Sequence, residues 1–298
     1  MAGIYPDRGA MLTVLAPAKL NLTLEVLAKR RDGFHEVRSV IQTINLGDSL
    51  SFQSGQNIEF KSDWPDWIAE ESLVSKAASL LQQVTGCSKG VSVEVNKRIP
   101  LLSGLGGDSS DAAATLRGLN QLWQLELSPG KLLELAQQLG SDVAFFLYGG
   151  TALVEGRGEV VTPLPPLPQR WVVLVIPPVS RLPGKTKQLY ASLKANHFTD
   201  GRITERLVEE LKAGKEFTPL LLFNTFENVA FAHFSGLGEY HKHIKKTGAI
   251  DFHLAGSGPA LFTLVKDKTQ AEELNMRLQQ QGLESYFVET LTAVDHVK

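Results

Sequence analysis

The stretch LLSGLGGDSSDAA, Leu101 to Ala113, places glycines at 104, 106 and 107 and hydroxyls at Ser109 and Ser110 directly ahead of a helical pattern. The first amides of a helix have no partner within it and the helix dipole makes that end positive. Glycines that let a ligand approach closely turn such a junction into an anion site, with phosphate the natural occupant. Ser109 and Ser110 can cap the helix, donate hydroxyls to phosphate oxygens, or both. Asp108 and Asp111 can help a magnesium ion or simply favour the helix N-terminus. Two common nucleotide motifs do not fit. GKT at Gly184 to Thr186 has Val179 where a P-loop needs its first glycine, and a dinucleotide fingerprint started at Gly104 meets Ser109 in place of its last glycine. A capped turn with no ligand fits the same residues, so the loop by itself leaves both uses open.

The elements around the loop narrow its setting. VSVEVNKRIP alternates as a strand, and SSDAAATLRGLNQLW carries Ala112, Leu116, Leu119 and Trp123 on one helical face, so the loop joins a strand to a helix. Upstream, from Ala18, Lys19, Asn21, Thr23 and Glu25 fall on one face and Leu20, Leu22, Leu24 and Val26 on the other, the pattern of a half-buried strand. An Asp32-Gly33 turn leads to a second strand, VRSVIQTINL, and short strands near Ser51 and Ile58 extend an antiparallel sheet. A helix is expected over Glu71 to Val84 with Gly86 as its stop, and another beginning at Pro129 behind a Ser128 cap and ending at Gly140. The proline-rich VTPLPPLPQRW reads as an extended connector and sets a boundary between residues 1–162 and 163–298. Beyond it come a buried strand, WVVLVIP, helical patterns at Lys187 to Lys194, Ile203 to Ala213 and Asn224 to Phe234, and DFHLAGSGPALFTLV as strand, glycine turn, strand. The helix TQAEELNMRLQQQG and the strand SYFVETL close the pattern.

Composition bounds the function. With 43% hydrophobic and 21% charged residues the chain is globular, and 298 residues suit two domains. A formal charge of −2 gives no bulk field for a polyanion, which argues against nucleic acid as a partner and makes any phosphate recognition local. The lone Cys87 cannot form an intramolecular disulfide and suits a reducing, cytoplasmic setting. The apolar run from Met11 is interrupted by Pro17, Lys19, Asn21 and Glu25, so neither a targeting segment nor a membrane span is expected.

Three separated pieces, APAKLNLTLEV, PLLSGLGGDSSDAA and LAGSGPALFTL, together resemble in type and order the three signature segments of the GHMP kinases. KRRDGFHEVRSVIQTINLGD and GSDVAFFLYGGTALVEGRGE resemble the branch of that superfamily whose small-molecule substrate is a cytidine diphosphate ester of methylerythritol, in the nonmevalonate route to isoprenoid precursors. Other GHMP small-molecule kinases, such as homoserine or mevalonate kinase, remain the alternative, as does a noncatalytic binding protein on the same fold. The resemblance implies an α+β GHMP kinase fold, with an N-terminal nucleotide-binding domain containing a left-handed βαβ crossover and a C-terminal ferredoxin-like domain.

The resemblance also implies roles. Lys19 and Asp142 form the catalytic pair, with Asp142 accepting or orienting the proton of the attacking hydroxyl and Lys19 stabilising developing charge. ATP with magnesium would lie along Pro100, Leu101, Leu102, Ser103, Gly104, Leu105, Gly106, Gly107, Asp108, Ser109 and Ser110. Asn21 would contact the substrate near the transferred phosphate, and Phe34, His35 and Tyr190 would grip the cytosine. No metal-ligand set is implied by any motif, and the oligomeric state is left open. Two residues depart from the family pattern: Phe34 stands where tyrosine is usual, and Asp108 where glycine is common.

Overall fold

The computed structural model describes residues 11–65, 67–180, 184–248 and 251–292. The alternation beginning at Ala18 lies within a longer strand, β1 (Leu12–Lys29), which turns through Asp32-Gly33 into β2 (His35–Gly55). Gly33 sits at φ 87°, a region costly for residues with a Cβ, while Asp32 Oδ1 accepts the Phe34 amide at 3.1 Å. The segment near Ser51 is the far half of β2 rather than a separate strand. The expectation that β1 is half-exposed is corrected: Lys19, Asn21, Thr23 and Glu25 are all buried, as are the leucines opposite them.

Such a polar face survives burial only when its groups are partnered. Asn21 Nδ2 donates to Ser39 Oγ at 2.8 Å, Thr23 Oγ1 accepts the Val40 amide at 3.0 Å, and Glu25 Oε2 accepts the Thr204 amide at 2.7 Å. The apolar face, Ala18, Leu20 and Leu22, packs with Val172, Leu174, Phe262 and Leu264 of the second sheet.

The remaining strands of the first sheet are β3 (Ile58–Ser62), β4 (Gly90–Asn96), β5 (Thr151–Gly156) and β6 (Val160–Pro163). The main path runs β3-β4-β2-β1 and ends on a two-residue strand, Phe223–Asn224, from the later part of the chain. β2 serves two neighbours on one edge: its first half pairs with β5 and its second half with β4. β3 and β4 are parallel, joined by α1 (Leu73–Thr85), and all the pairings of β2 are antiparallel. α2 (Gly107–Leu122), α3 (Pro129–Leu139) and α4 (Val143–Tyr148) cover this sheet, with Trp123, Phe145 and Phe146 in the core beneath. Ser128 caps α3 as expected, its hydroxyl accepting the Lys131 amide at 3.2 Å.

The second sheet begins with β7 (Trp171–Ile176); the two-residue strand noted above is β8, and β9 (His253–Leu254), β10 (Leu261–Val265) and β11 (Glu284–Glu289) follow. Its order, β11-β7-β10-β9, is wholly antiparallel and is the 4-1-3-2 arrangement of a ferredoxin-like sheet. Helices α5 (Lys185–Ser192), α6 (Arg202–Lys212), α7 (Glu227–His233), α8 (Leu237–Gly248) and α9 (Lys268–Gln280) complete it. β8 runs parallel to β1 and Leu291 N donates to Thr43 O at 2.9 Å, so the two sheets share both a core and backbone bonds.

Candidate active site

A cleft of about 1580 Å³ opens between the glycine loop and the second sheet. β1 supplies Lys19 and Asn21 to its floor, and Asp142 enters from the residue just before α4. Lys19 Nζ lies 3.5 Å from Asp142 Oδ2 and donates to Asn21 Oδ1 at 2.6 Å. The ammonium is almost wholly buried, whereas about a third of the carboxylate is exposed (5% and 35% of the two side chains), so Asp142 can meet a ligand that Lys19 supports from behind. Two residues far apart in the chain thus meet because α4 begins beside the stretch of β1 that carries Lys19.

The glycine loop is held against β1 by the Lys19 amide, which donates to Leu105 O at 2.9 Å. Gly106 is the actual N-cap of α2, at φ 77°, and a Cβ there would lie 2.9 Å from Phe146 and 3.0 Å from Lys19 Cγ. Of the uses open to Ser109 and Ser110, capping the helix is ruled out: both lie within it, the N-cap makes no side-chain hydrogen bond, and Gly107, Asp108 and Ser109 of the first turn line the cleft. Pro100, Leu101, Leu102, Ser103, Gly104, Gly106, Gly107, Asp108 and Ser109 line the cleft. Leu105 and Ser110 do not; Leu105 packs between the sheets, and the Ser110 hydroxyl is buried with no partner. Asp108 lies beside the first turn of α1, with Oδ1 3.5 Å from the Leu73 amide, and desolvation raises its carboxyl above the ordinary value although the Leu73 amide and Lys97 oppose it.

Behind the loop, Lys97 Nζ sits between Asp48 Oδ2 at 2.5 Å and Asp111 Oδ2 at 2.7 Å, all three side chains essentially inaccessible. Asp48 Oδ1 also accepts the amides of Arg98 and Ile99, which fixes the chain where it leaves β4 for the loop. Burial alone would lower the Lys97 ammonium, but Asp111 and Asp48 outweigh it and the net shift is upward; burial raises the Asp111 carboxyl well above the usual range despite Lys97. Asp111 has a part that neither use considered for it in the sequence describes: it anchors Lys97.

At the other end of the cleft stand Phe34, His35 and Tyr190. His35 stacks on Tyr190, centroids 4.7 Å apart and planes 18° from parallel, and Phe226 meets Tyr190 edge-on at 4.8 Å. One face of Tyr190 is therefore covered by His35, while Phe34 is 54% exposed with the Arg157 guanidinium 4.9 Å from its ring centre. Burial lowers the His35 imidazole, assisted by Lys29, and burial with the charge of Asp142 raises the Tyr190 phenol, so both rings favour the neutral form.

The second glycine turn, Ala255 to Ala260, closes over the first. Ala260 N donates to Ser103 O at 3.1 Å, and a Cβ on Gly256 would lie 2.7 Å from Gly104 O and 2.9 Å from Lys19 Nζ. Sequence reasoning gave this turn a supporting place in the cleft and did not single out Lys185, Arg157, Trp64 or Trp67, which also line it. Lys185 belonged to the GKT that failed as a P-loop, so its signal was present but matched to the wrong template; the tryptophans of DWPDW had no pattern to mark them.

The profile of the GHMP kinases N terminal domain matches residues 72–150, and that of the GHMP kinases C terminal region matches 207–282. A 4-diphosphocytidyl-2-C-methyl-D-erythritol kinase of Dehalococcoides mccartyi is 50% identical over 285 residues, covering 96% of this chain and 100% of the relative. The chain belongs to the 4-diphosphocytidyl-2-C-methyl-D-erythritol kinase family of GHMP kinases. A family member from Bacillus cereus is 40% identical over 85% of this chain and 88% of its own length. The crystal structure of a 4-(cytidine 5'-diphospho)-2C-methyl-D-erythritol kinase superposes with a TM-score of 0.78 at 33% identity, over 93% of this chain and 98% of that one. Homoserine kinase from Cytophaga hutchinsonii superposes with a TM-score of 0.73 at 19% identity, covering 100% and 99% of the two chains, a likeness of fold alone.

Proposed function

We propose that the cleft transfers the γ-phosphate of ATP to the 2-hydroxyl of 4-diphosphocytidyl-2-C-methyl-D-erythritol, giving ADP and the 2-phosphate. The observation that carries the reaction chemistry is the Lys19–Asp142 pair, 3.5 Å apart between the glycine loop and the aromatic end. Phosphoryl transfer makes little covalent demand on the protein; it needs an alcohol in line with the γ-phosphate and charge compensation around it. Asp142 orients the hydroxyl and receives its proton, Lys19 stabilises charge on the transferring oxygens, and Asn21, already bonded to Lys19 and Ser39, holds the alcohol end of the substrate.

The triphosphate lies over the amides at the start of α2, reached through Gly104, Gly106 and Gly107. The cytosine stacks on the open ring of Phe34, with His35 supported from behind by Tyr190. Magnesium belongs to this proposal. A magnesium ion held through phosphate oxygens keeps several waters and needs only one or two protein oxygens. The Asp108 carboxylate and the Ser109 hydroxyl, which line the cleft, are the oxygens at hand, and the ion would neutralise phosphate charge.

Residues 1–162 are assigned to nucleotide binding and 163–298 to closing the cleft. The single cysteine fits a cytoplasmic setting, and no described helix is long and apolar enough to cross a membrane. The test is ADP release with the cytidine substrate beside homoserine, galactose and mevalonate. Turnover selective for the cytidine compound is expected; preference for any other alcohol would overturn the assignment.

A further inference from the structure

Lys185 opens α5 with its side chain buried, only 5% of the residue exposed. Its ammonium donates to Ser257 Oγ at 2.9 Å and to the Gly258 carbonyl, and Ser257 is shared with Thr186 Oγ1 at 2.8 Å. Both partners of Lys185 are neutral. The charge that acts on it is another cation, Lys19, which touches the opposite part of the same turn: a Cβ on Gly256 would lie 2.9 Å from Lys19 Nζ. Two ammoniums therefore flank the Gly256–Gly258 turn at the edge of one cleft, and among the described residues only Lys19 of the two has a carboxylate beside it, Asp142. Burying a cation next to a like charge is unfavourable unless an anion occupies the space they face. Burial, aided by Lys19, accordingly lowers the Lys185 ammonium to about 8.

We propose that Lys185 binds a phosphate oxygen of the bound nucleotide, holding it against Lys19 across the second glycine turn. The inference rests on the kinase reading of the cleft and adds a phosphate ligand from the C-terminal half of the chain. Two phosphates have the required chemistry, the γ-phosphate of ATP and the diphosphate of the cytidine substrate. α5 also carries Tyr190, so the helix that presents Lys185 joins the phosphate site to the aromatic end.

Titration calorimetry with the ATP analogue AMP-PNP and, separately, with CDP tests it on wild type, Lys185→Gln and Lys185→Arg. Loss of a charge-assisted hydrogen bond should weaken binding of one or both probes by about tenfold or more in Lys185→Gln, with Lys185→Arg retaining most of the affinity. A loss confined to AMP-PNP assigns the γ-phosphate, and one confined to CDP assigns the diphosphate. Wild-type affinity for both probes in Lys185→Gln overturns the proposal.

Should that variant fail to melt cooperatively, the wild-type protein decides. The charged and titratable groups on the surrounding elements include Lys19 on β1, His35 on β2, Asp142 before α4, Lys187 and Tyr190 on α5 itself, and Glu227 and His233 on α7, which packs against α5. As the Lys185 ammonium is lost, binding of the affected probe should weaken toward tenfold per pH unit between about pH 7.5 and about pH 9.5. Flat affinity over that span refutes the role. If wild type fails to phosphorylate the cytidine substrate yet Lys185→Gln still loses affinity for a probe, the proposed reaction falls and the phosphate contact stands.

Discussion

Gly104→Ala is the sharpest test of how the two glycine turns make the site. Gly104 sits at φ 91°, and a Cβ there would lie 2.1 Å from Ala255 O and 2.8 Å from Gly258 N, both backbone atoms that cannot swing aside. The left-handed backbone alone costs about 1–2 kcal/mol for alanine. Restoring ordinary contact requires the turns to part by roughly 1 Å, and overpacking of this kind costs about 1–3 kcal/mol more. The expected loss of stability is therefore about 2–5 kcal/mol. Gly236→Ala is the matched control: Gly236 has nearly the same backbone, φ 84°, but nothing lies within 4 Å of its Cβ position, so it should lose only the backbone part. Urea unfolding of both variants, read with steady-state ADP release, separates strain from clash. Because Gly256 of the same turn adjoins Lys19, Gly104→Ala should also lower turnover by about 100-fold through misplacement of the proposed catalytic pair, Lys19 and Asp142. Equal unfolding midpoints for the two variants, with turnover intact in Gly104→Ala, would refute the close fit of the turns.

Asp142→Asn should lower turnover by about 10²–10⁴-fold while AMP-PNP affinity, measured by calorimetry, stays close to wild type; unchanged turnover would remove Asp142 from the reaction. Phe34→Ala, at a half-exposed ring, should leave the melting temperature nearly unchanged and raise KM for the cytidine substrate by about 10- to 100-fold, the worth of one base stacked on an aromatic ring; a wild-type KM would place the cytosine elsewhere. Burial raises the Asp111 carboxyl above its unfolded value, so its contribution to stability is present below about pH 4 and is lost as pH rises through the folded value. Asp111→Asn should accordingly flatten the decline in unfolding free energy as pH rises above about 4, and a slope identical to wild type would mean that this carboxyl does not carry it.

Much of the local structure was legible because its causes are local. The Ser128-Pro129 start of α3, the Gly86 stop of α1 and the strand-loop-helix setting of the glycine loop each follow from residues adjacent in the chain. Two helices were harder: α4 follows Asp142 with only Val143 to Tyr148, an apolar run too brief for periodicity to separate helix from strand, and α8, though 12 residues long, was not singled out. The misjudged exposure of β1 has a different source. Polar residues at alternate positions normally mark the solvent face, but here α6 supplies Thr204 to Thr23 and Glu25, and the cleft encloses Lys19 and Asn21.

By itself the sequence determined which groups were on hand: a glycine loop at a helix start, a strand lysine, an aspartate after a helix stop, and aromatics around a turn. Those assignments rest on backbone preferences and short-range periodicity, which neighbouring residues decide. Only the tertiary structure brought Asp142 to 3.5 Å from Lys19, laid His35 on Tyr190, moved the cap of α2 to Gly106 and set Lys185 across a turn from Lys19. These depend on how two sheets pack through a shared core, since distances between side chains remote in sequence are fixed by burial and backbone contact, which no local pattern encodes.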